Sequence, residues 1–122
     1  MFELKIKYRF SSAHCLREYK GKCENLHGHN WKVEAIIRGE ELDGIGILVD
    51  FKECKKELHK LVDTLDHVFI NELEYFKTVN PSAENLAKYL HTEYSKVMNR
   101  DHAKVYKVAV WETDDACASY TL

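Results

Sequence analysis

FELKIKYRF, residues Phe2 to Phe10, alternates apolar and charged side chains without a break. Successive side chains of an extended backbone point to opposite faces. The stretch therefore reads as a strand with Phe2, Leu4, Ile6, Tyr8 and Phe10 on a buried side and Glu3, Lys5, Lys7 and Arg9 on a wet one. A loop through Lys20, Gly21 and Lys22 follows, and strand character resumes from His29 to Arg38, where Trp31, Val33, Ala35 and Ile37 share a face. After a turn-rich segment, Glu40 to Gly46, the apolar period changes from two to three and four. Phe51, Cys54, Leu58, Leu61, Val62 and Leu65 then predict a helix entered from Asp50, and Asp50 with Glu53 forms a D-x-x-E pattern resembling a capping box. A second helix is predicted from about Pro81 to Met98, with Ala83, Leu86, Ala87, Leu90, Tyr94 and Val97 in one stripe. Tyr106, Val108 and Val110 alternate with Lys107 and Ala109 in a third strand that runs into Trp111 and Glu112, and a short fourth strand follows Asp115.

The predicted order is β-β-α-α-β-β, an α+β fold with an antiparallel four-stranded sheet and two helices packed on one face. Such a sheet leaves a polar face and two edges to be charged, covered or paired, and edge pairing in a symmetric ring is one solution, so a homo-oligomer is expected. A chain of 122 residues with no internal repeat or linker is expected to form one domain over residues 1–122. Its 18 basic and 20 acidic residues are spread along the chain, which argues against nucleic acid as a partner. No stretch approaches the roughly 20 apolar residues of a membrane span, and the charged start lacks a signal-peptide core, so a cytoplasmic protein is expected. Cys15, Cys23, Cys54 and Cys117 stand far apart, and free thiols are the default reading.

The chemistry concentrates in CENLHGH, residues Cys23 to His29. His27 and His29 are two apart at a strand start, so their imidazoles point to the same side and converge on one ion. His14 lies four residues after Phe10; if the first strand continues through Ser12, it supplies a third nitrogen. Three neutral imidazoles with a fourth position open describe a catalytic zinc site. Cys23 is either a fourth ligand that closes the site or, uncoordinated, a thiolate acting as base or nucleophile beside the cation. His59, His91 and His102 stand beside Lys, Glu and Asp and read as surface residues. Asp66 and His67 form an adjacent acid-imidazole pair, either a helix-terminal polar pair or a proton-transfer group. Glu112 shares parity with Tyr106, Val108 and Val110, which places a carboxylate on the buried side, where a ligand with adjacent N–H donors would satisfy it.

His14, the Cys23 and H-G-H cluster, VDF (Val49 to Phe51), LDH (Leu65 to His67), NPSAEN (Asn80 to Asn85) and WET (Trp111 to Thr113) occur in an order that resembles the 6-pyruvoyl-tetrahydropterin synthase family over essentially the whole chain. The C-x-x-x-H-G-H spacing and the short length look most like its 6-carboxy-5,6,7,8-tetrahydropterin synthase branch, of the queuosine and 7-deazaguanine pathway. The resemblance implies a tunnelling fold (T-fold), with trimeric barrels stacked as a homohexamer, a dimer of trimers, and active sites between subunits. It implies zinc on His14, His27 and His29, Cys23 as proton-abstracting base, and Asp66 with His67 as a relay from a neighbouring subunit. Glu112 would anchor a pterin, with Ser82, Ala83 and Glu84 lining the pocket. The implied enzyme is a carbon-oxygen and carbon-carbon lyase that converts 7,8-dihydroneopterin triphosphate to 6-carboxytetrahydropterin, acetaldehyde and triphosphate, and 6-pyruvoyl-tetrahydropterin synthase activity is an alternative.

Glu24 makes the same stretch satisfy E-x-x-H-G-H, the signature of a related branch that cleaves dihydroneopterin to 6-hydroxymethyl-7,8-dihydropterin for folate synthesis. As a residue alone, Glu24 reads as a solvated loop carboxylate. A third reading belongs to another class: a non-catalytic, zinc-stabilised binding module with Cys23 ligated.

Overall fold

The structure is a computed structural model and describes residues 1–18 and 25–122. Strand β1 (Phe2–His14) pairs antiparallel with β2 (His27–Gly39), β2 with β3 (Lys104–Thr113), and β3 with β4 (Ala116–Thr121), giving the sheet order β1-β2-β3-β4. Helices α1 (Phe51–Asp63) and α2 (Ala83–Met98) lie between β2 and β3 in the chain, with short 3-10 turns at Ile70–Glu72 and Glu74–Lys77 between them.

The alternation in β1 follows period-two patterning toward the strand's middle, with Ile6 and Phe10 buried, Leu4 and Tyr8 partly buried, and Lys5, Lys7 and Arg9 exposed; Phe2, at the strand's start, is exposed as well, against expectation. Trp31, Val33, Ala35 and Ile37 of β2 are all fully buried on the same side. Cys54, Leu58 and Val62 of α1 and Leu86, Ala87, Leu90 and Tyr94 of α2 close that side into one core, with α1 against β1 and α2 against β3 and β4. The Tyr94 hydroxyl donates to the Cys54 carbonyl at 2.8 Å and ties the two helices together inside the core. Gly39 ends β2 where a Cβ would sit 2.3 Å from the His102 carbonyl oxygen, so only glycine fits that approach.

Several expectations are corrected. Tyr106 is 38% exposed, because the pairing steps from Ile36↔Lys107 to Ile37↔Val105 and leaves Tyr106 as the extra residue of a bulge. Val97 is half exposed and Met98 takes its place in the core. Pro81 precedes the second helix: Ser82 is the N-cap and its hydroxyl accepts from the Asn85 amide. Asp50 caps α1 through the Lys52 amide, and Glu53 turns away to pair with Arg100, so no reciprocal capping box forms. His91 is buried, with 2% of its surface exposed, against the ring of Tyr120. Helical spacing carries it to the sheet side of α2 whatever its charged neighbours. Among the described cysteines, Cys54 and Cys117 are free thiols, whereas Cys15 is disulfide-bonded.

Candidate metal centre

Both strands run longer than the sequence pattern alone requires, and this builds the site. β1 continues to His14 and β2 begins at His27, so the two residues face each other in register, with Ser12 opposite His29. His14, His27 and His29 stay on the helix-covered side because each lies an even number of residues from Phe10 or Trp31. Glu112, on the end of β3, brings a carboxylate to the same point. One ligand atom from each of these four residues lies within 4.8 Å of every other.

The tautomers follow from the partners. Nδ1 of His14 is 2.7 Å from the Pro81 carbonyl and Nδ1 of His27 is 2.8 Å from the Asn25 carbonyl. A carbonyl oxygen can only accept, so both Nδ1 atoms carry the proton and both Nε2 atoms present lone pairs. Those two Nε2 atoms are 3.0 Å apart. Two lone pairs facing at that distance repel unless a cation lies between them. Nitrogens bound to one tetrahedral ion at about 2.0–2.1 Å stand about 3.3 Å apart. The distances from Glu112 Oε1 to the Nε2 atoms of His29, His14 and His27 are 3.0, 3.3 and 4.0 Å. Nε2 of His29 is buried beside Glu112 Oε1, the oxygen that also approaches His14 and His27, so all four donor atoms converge on one point that a shared cation would satisfy. Burial lowers the His29 pKa below the ordinary imidazole value, against the opposing charge of Glu112, and so favours the neutral form a metal requires. The donor set therefore fits a divalent cation.

Asp66 and His67 form a second constellation. The Ser11 amide donates to Asp66 Oδ1 at 2.8 Å, and the His67 amide donates to the Ser11 carbonyl at 2.6 Å. Ser11 thus holds both residues, and His67 keeps a left-handed φ of 54° that side chains rarely adopt. Asp66 Oδ2 lies 2.8 Å from His67 Nδ1, and the Ser11 amide and His67 ring together lower the Asp66 pKa. The His67 side chain is 80% exposed. The pair joins β1 at Ser11, three residues before His14, which is about 10 Å along a strand, and it does not belong to the four-residue cluster.

Ser82, Ala83 and Glu84 open α2 directly after Pro81, the residue whose carbonyl holds His14. Cys23 and Glu24 lie outside the described residues. Glu112, expected from the sequence to meet a ligand's N–H edge, also approaches the histidines, and the alternation that puts it on the buried side is the one signal of this in the sequence. A cavity of about 260 Å³ adjoins the cluster, lined by Ser11, Ser12, Gly28, His29 and Asn30. A larger one, about 760 Å³, lies around Arg38, Gly39, His102 and Tyr106 at the far end of the sheet, away from the clustered ligands.

Among the described residues, no helix is long and apolar enough to cross a membrane. Against known proteins, a family described as 6-pyruvoyl tetrahydropterin synthase matches residues 3–122. A Caenorhabditis elegans protein named putative 6-pyruvoyl tetrahydrobiopterin synthase is 36% identical, over 91% of this chain and 88% of the relative. The 6-carboxy-5,6,7,8-tetrahydropterin synthase of Haemophilus influenzae is 25% identical over 98% of this chain and 99% of its own length. Among solved structures, that of Caenorhabditis elegans 6-pyruvoyl tetrahydropterin synthase superposes with a TM-score of 0.88 at 31% identity, covering 99% of this chain and 95% of the other. With the sheet order, the two helices and these matches together, the fold is the T-fold, and the chain belongs to the 6-pyruvoyl tetrahydropterin synthase family.

Proposed function

We propose that the chain is a zinc-dependent lyase that converts 7,8-dihydroneopterin triphosphate to 6-carboxy-5,6,7,8-tetrahydropterin, releasing acetaldehyde and triphosphate. The observation that carries the metal half of this reading is the pair of Nε2 lone pairs of His14 and His27 facing each other at 3.0 Å, with Nε2 of His29 and Oε1 of Glu112 converging on the same point. The relatives' names carry the pterin half. His14, His27 and His29 would hold the ion, which when bound supplies Lewis-acid polarisation of a substrate side-chain oxygen.

The other roles belong to the chain. His67 holds its Nδ1 proton on Asp66, so its Nε2 presents a lone pair that accepts a proton and later returns it. With the cysteines reduced, Cys23 as a thiolate is the opposing base. Glu112 accepts hydrogen bonds from the N–H edge of the pterin, and Ser82, Ala83 and Glu84 line its pocket. Because the His67 ring points to solvent within its own chain, it serves a site completed by a neighbouring subunit, in a homohexamer built as a dimer of trimers.

A second product is open because the relatives carry both names at equal identity: the Caenorhabditis elegans protein with the 6-pyruvoyl name and the Bacillus subtilis 6-carboxy enzyme are each 36% identical. One assay separates the two. Zinc-loaded protein is given dihydroneopterin triphosphate with a thiol reductant present, so that every cysteine is reduced, and the products are followed by mass. Triphosphate with acetaldehyde supports the 6-carboxy product, and triphosphate with the three-carbon side chain retained supports the 6-pyruvoyl one. No release of triphosphate removes both.

A further inference from the structure

Past His14, beyond the end of β1, the peptide groups of the chain are met by side-chain amides. The Cys15 amide donates to Asn71 Oδ1 at 3.0 Å, and Asn71 Nδ2 donates to the Cys15 carbonyl at 2.8 Å. Two residues on, the Arg17 amide donates to Asn80 Oδ1 at 2.9 Å, and Asn80 Nδ2 donates to the Arg17 carbonyl at 2.7 Å. Each carboxamide meets both the N–H and the C=O of one peptide residue, at alternate positions, as a neighbouring strand would.

Asn80 does a second thing that Asn71 does not. Its own carbonyl accepts from Asn85 Nδ2 at 2.9 Å, and the Asn85 amide is held by the Ser82 cap of α2. The Arg17 guanidinium returns to the carbonyls of Phe76 and Val79. Asn80 is thus fixed from three directions, and the next residue is Pro81, whose ring fixes φ and whose carbonyl accepts the hydrogen bond from His14 Nδ1–H. One side chain therefore links the stem leaving His14 to the carbonyl that sets the His14 ring.

We propose that Asn80 is a positioning residue of the metal centre, holding the Pro81 carbonyl where it fixes the tautomer and aim of His14. The proposal rests on the reading of the histidine cluster as a metal centre. Only a carboxamide provides the donor and the acceptor that Arg17 requires. Asn80→Asp keeps the size but turns the donor into an oxygen facing the Arg17 carbonyl, and Asn80→Ala removes both groups.

The test uses full-length, metal-stripped protein titrated with Co2+ alone, reading the dissociation constant and the visible d–d band. Outer-shell partners of metal ligands typically govern affinity by about 10- to 100-fold. Asn80→Asp and Asn80→Ala are expected to weaken Co2+ binding in that range and to shift the band, with a smaller change of the same kind in Asn85→Ala. Asn99→Ala is the control: Asn99 Oδ1 accepts from the Val105 amide at 2.8 Å at the other end of α2, so its loss lowers melting temperature and leaves affinity and band unchanged. If Asn80→Ala does not fold, Asn80→Asp and Asn85→Ala carry the test. Wild-type affinity and band in both folded variants overturn the proposal, as does an equal weakening in Asn99→Ala. Wild-type protein that takes up no Co2+ instead removes the metal-centre reading on which the proposal stands.

Discussion

Glu112 is drawn to two partners. Its Oε1 lies 3.0 Å from His29 Nε2 and 3.3 Å from His14 Nε2, where a fourth ligand would sit, and the same oxygens suit the N–H edge of a pterin. Three imidazoles already make a complete protein ligand set for catalytic zinc, which leaves the carboxylate for the proposed substrate. Glu112→Gln keeps the shape and removes the charge. Hydrogen bonds to charged groups contribute about 1.5–3 kcal/mol, so this variant is expected to retain its metal and to lose about 10- to 100-fold in kcat/KM. Metal analysis beside steady-state kinetics reads both quantities, and loss of the ion would make Glu112 a ligand instead. Cys23 and Glu24, which the sequence placed at the centre of the chemistry, lie outside the described residues, so their roles stand on motif alone.

At the level of the elements, α2 carries a buried base that the mechanism does not use. His91 is 2% exposed, its Nε2 has no hydrogen-bond partner, and burial lowers its pKa from the ordinary 6.5. A histidine whose folded pKa lies below its unfolded one binds more protons when unfolded, so stability is full above about pH 6.5 and falls as the pH drops below that. His91→Leu is expected to reduce this acid loss, seen as a smaller decline in melting temperature between pH 7 and pH 5 than in wild type. An unchanged decline would place the titration elsewhere. The same helix shows what the sequence could and could not tell. Leu86, Ala87, Leu90 and Tyr94 were legible from spacing, and so was the convergence of His14, His27 and His29, because strand parity is local. Tyr106 and Glu53 were not, since a bulge and an ion pair with Arg100 depend on partners about fifty to seventy residues away. The Ser11 bridge that holds Asp66 and His67 and the amide clamps on Cys15 and Arg17 likewise join segments more than fifty residues apart. No periodicity announces such contacts.

Across the whole molecule, the sheet has β1 and β4 as its edges and helices on one face only. Edges of this kind pair with further strands, and a ring of chains would bring the exposed His67 of one subunit to the histidine cluster of another. That arrangement makes a prediction a single-chain site does not. His14→Ala and His67→Ala homo-oligomers, each inactive alone, are expected to regain a fraction of wild-type activity after being dissociated, mixed and reassembled; no recovery would place both groups in one subunit's site. The proposed chemistry as a whole requires one divalent cation among the ring nitrogens of His14, His27 and His29. The direct measurement is a zinc titration of metal-stripped protein against a chromophoric chelator, with His27→Ala alongside. Saturation at one ion per chain is expected in the wild type, with that tight site lost in the variant; equal, weak uptake by both proteins would leave the three histidines without a metal to hold.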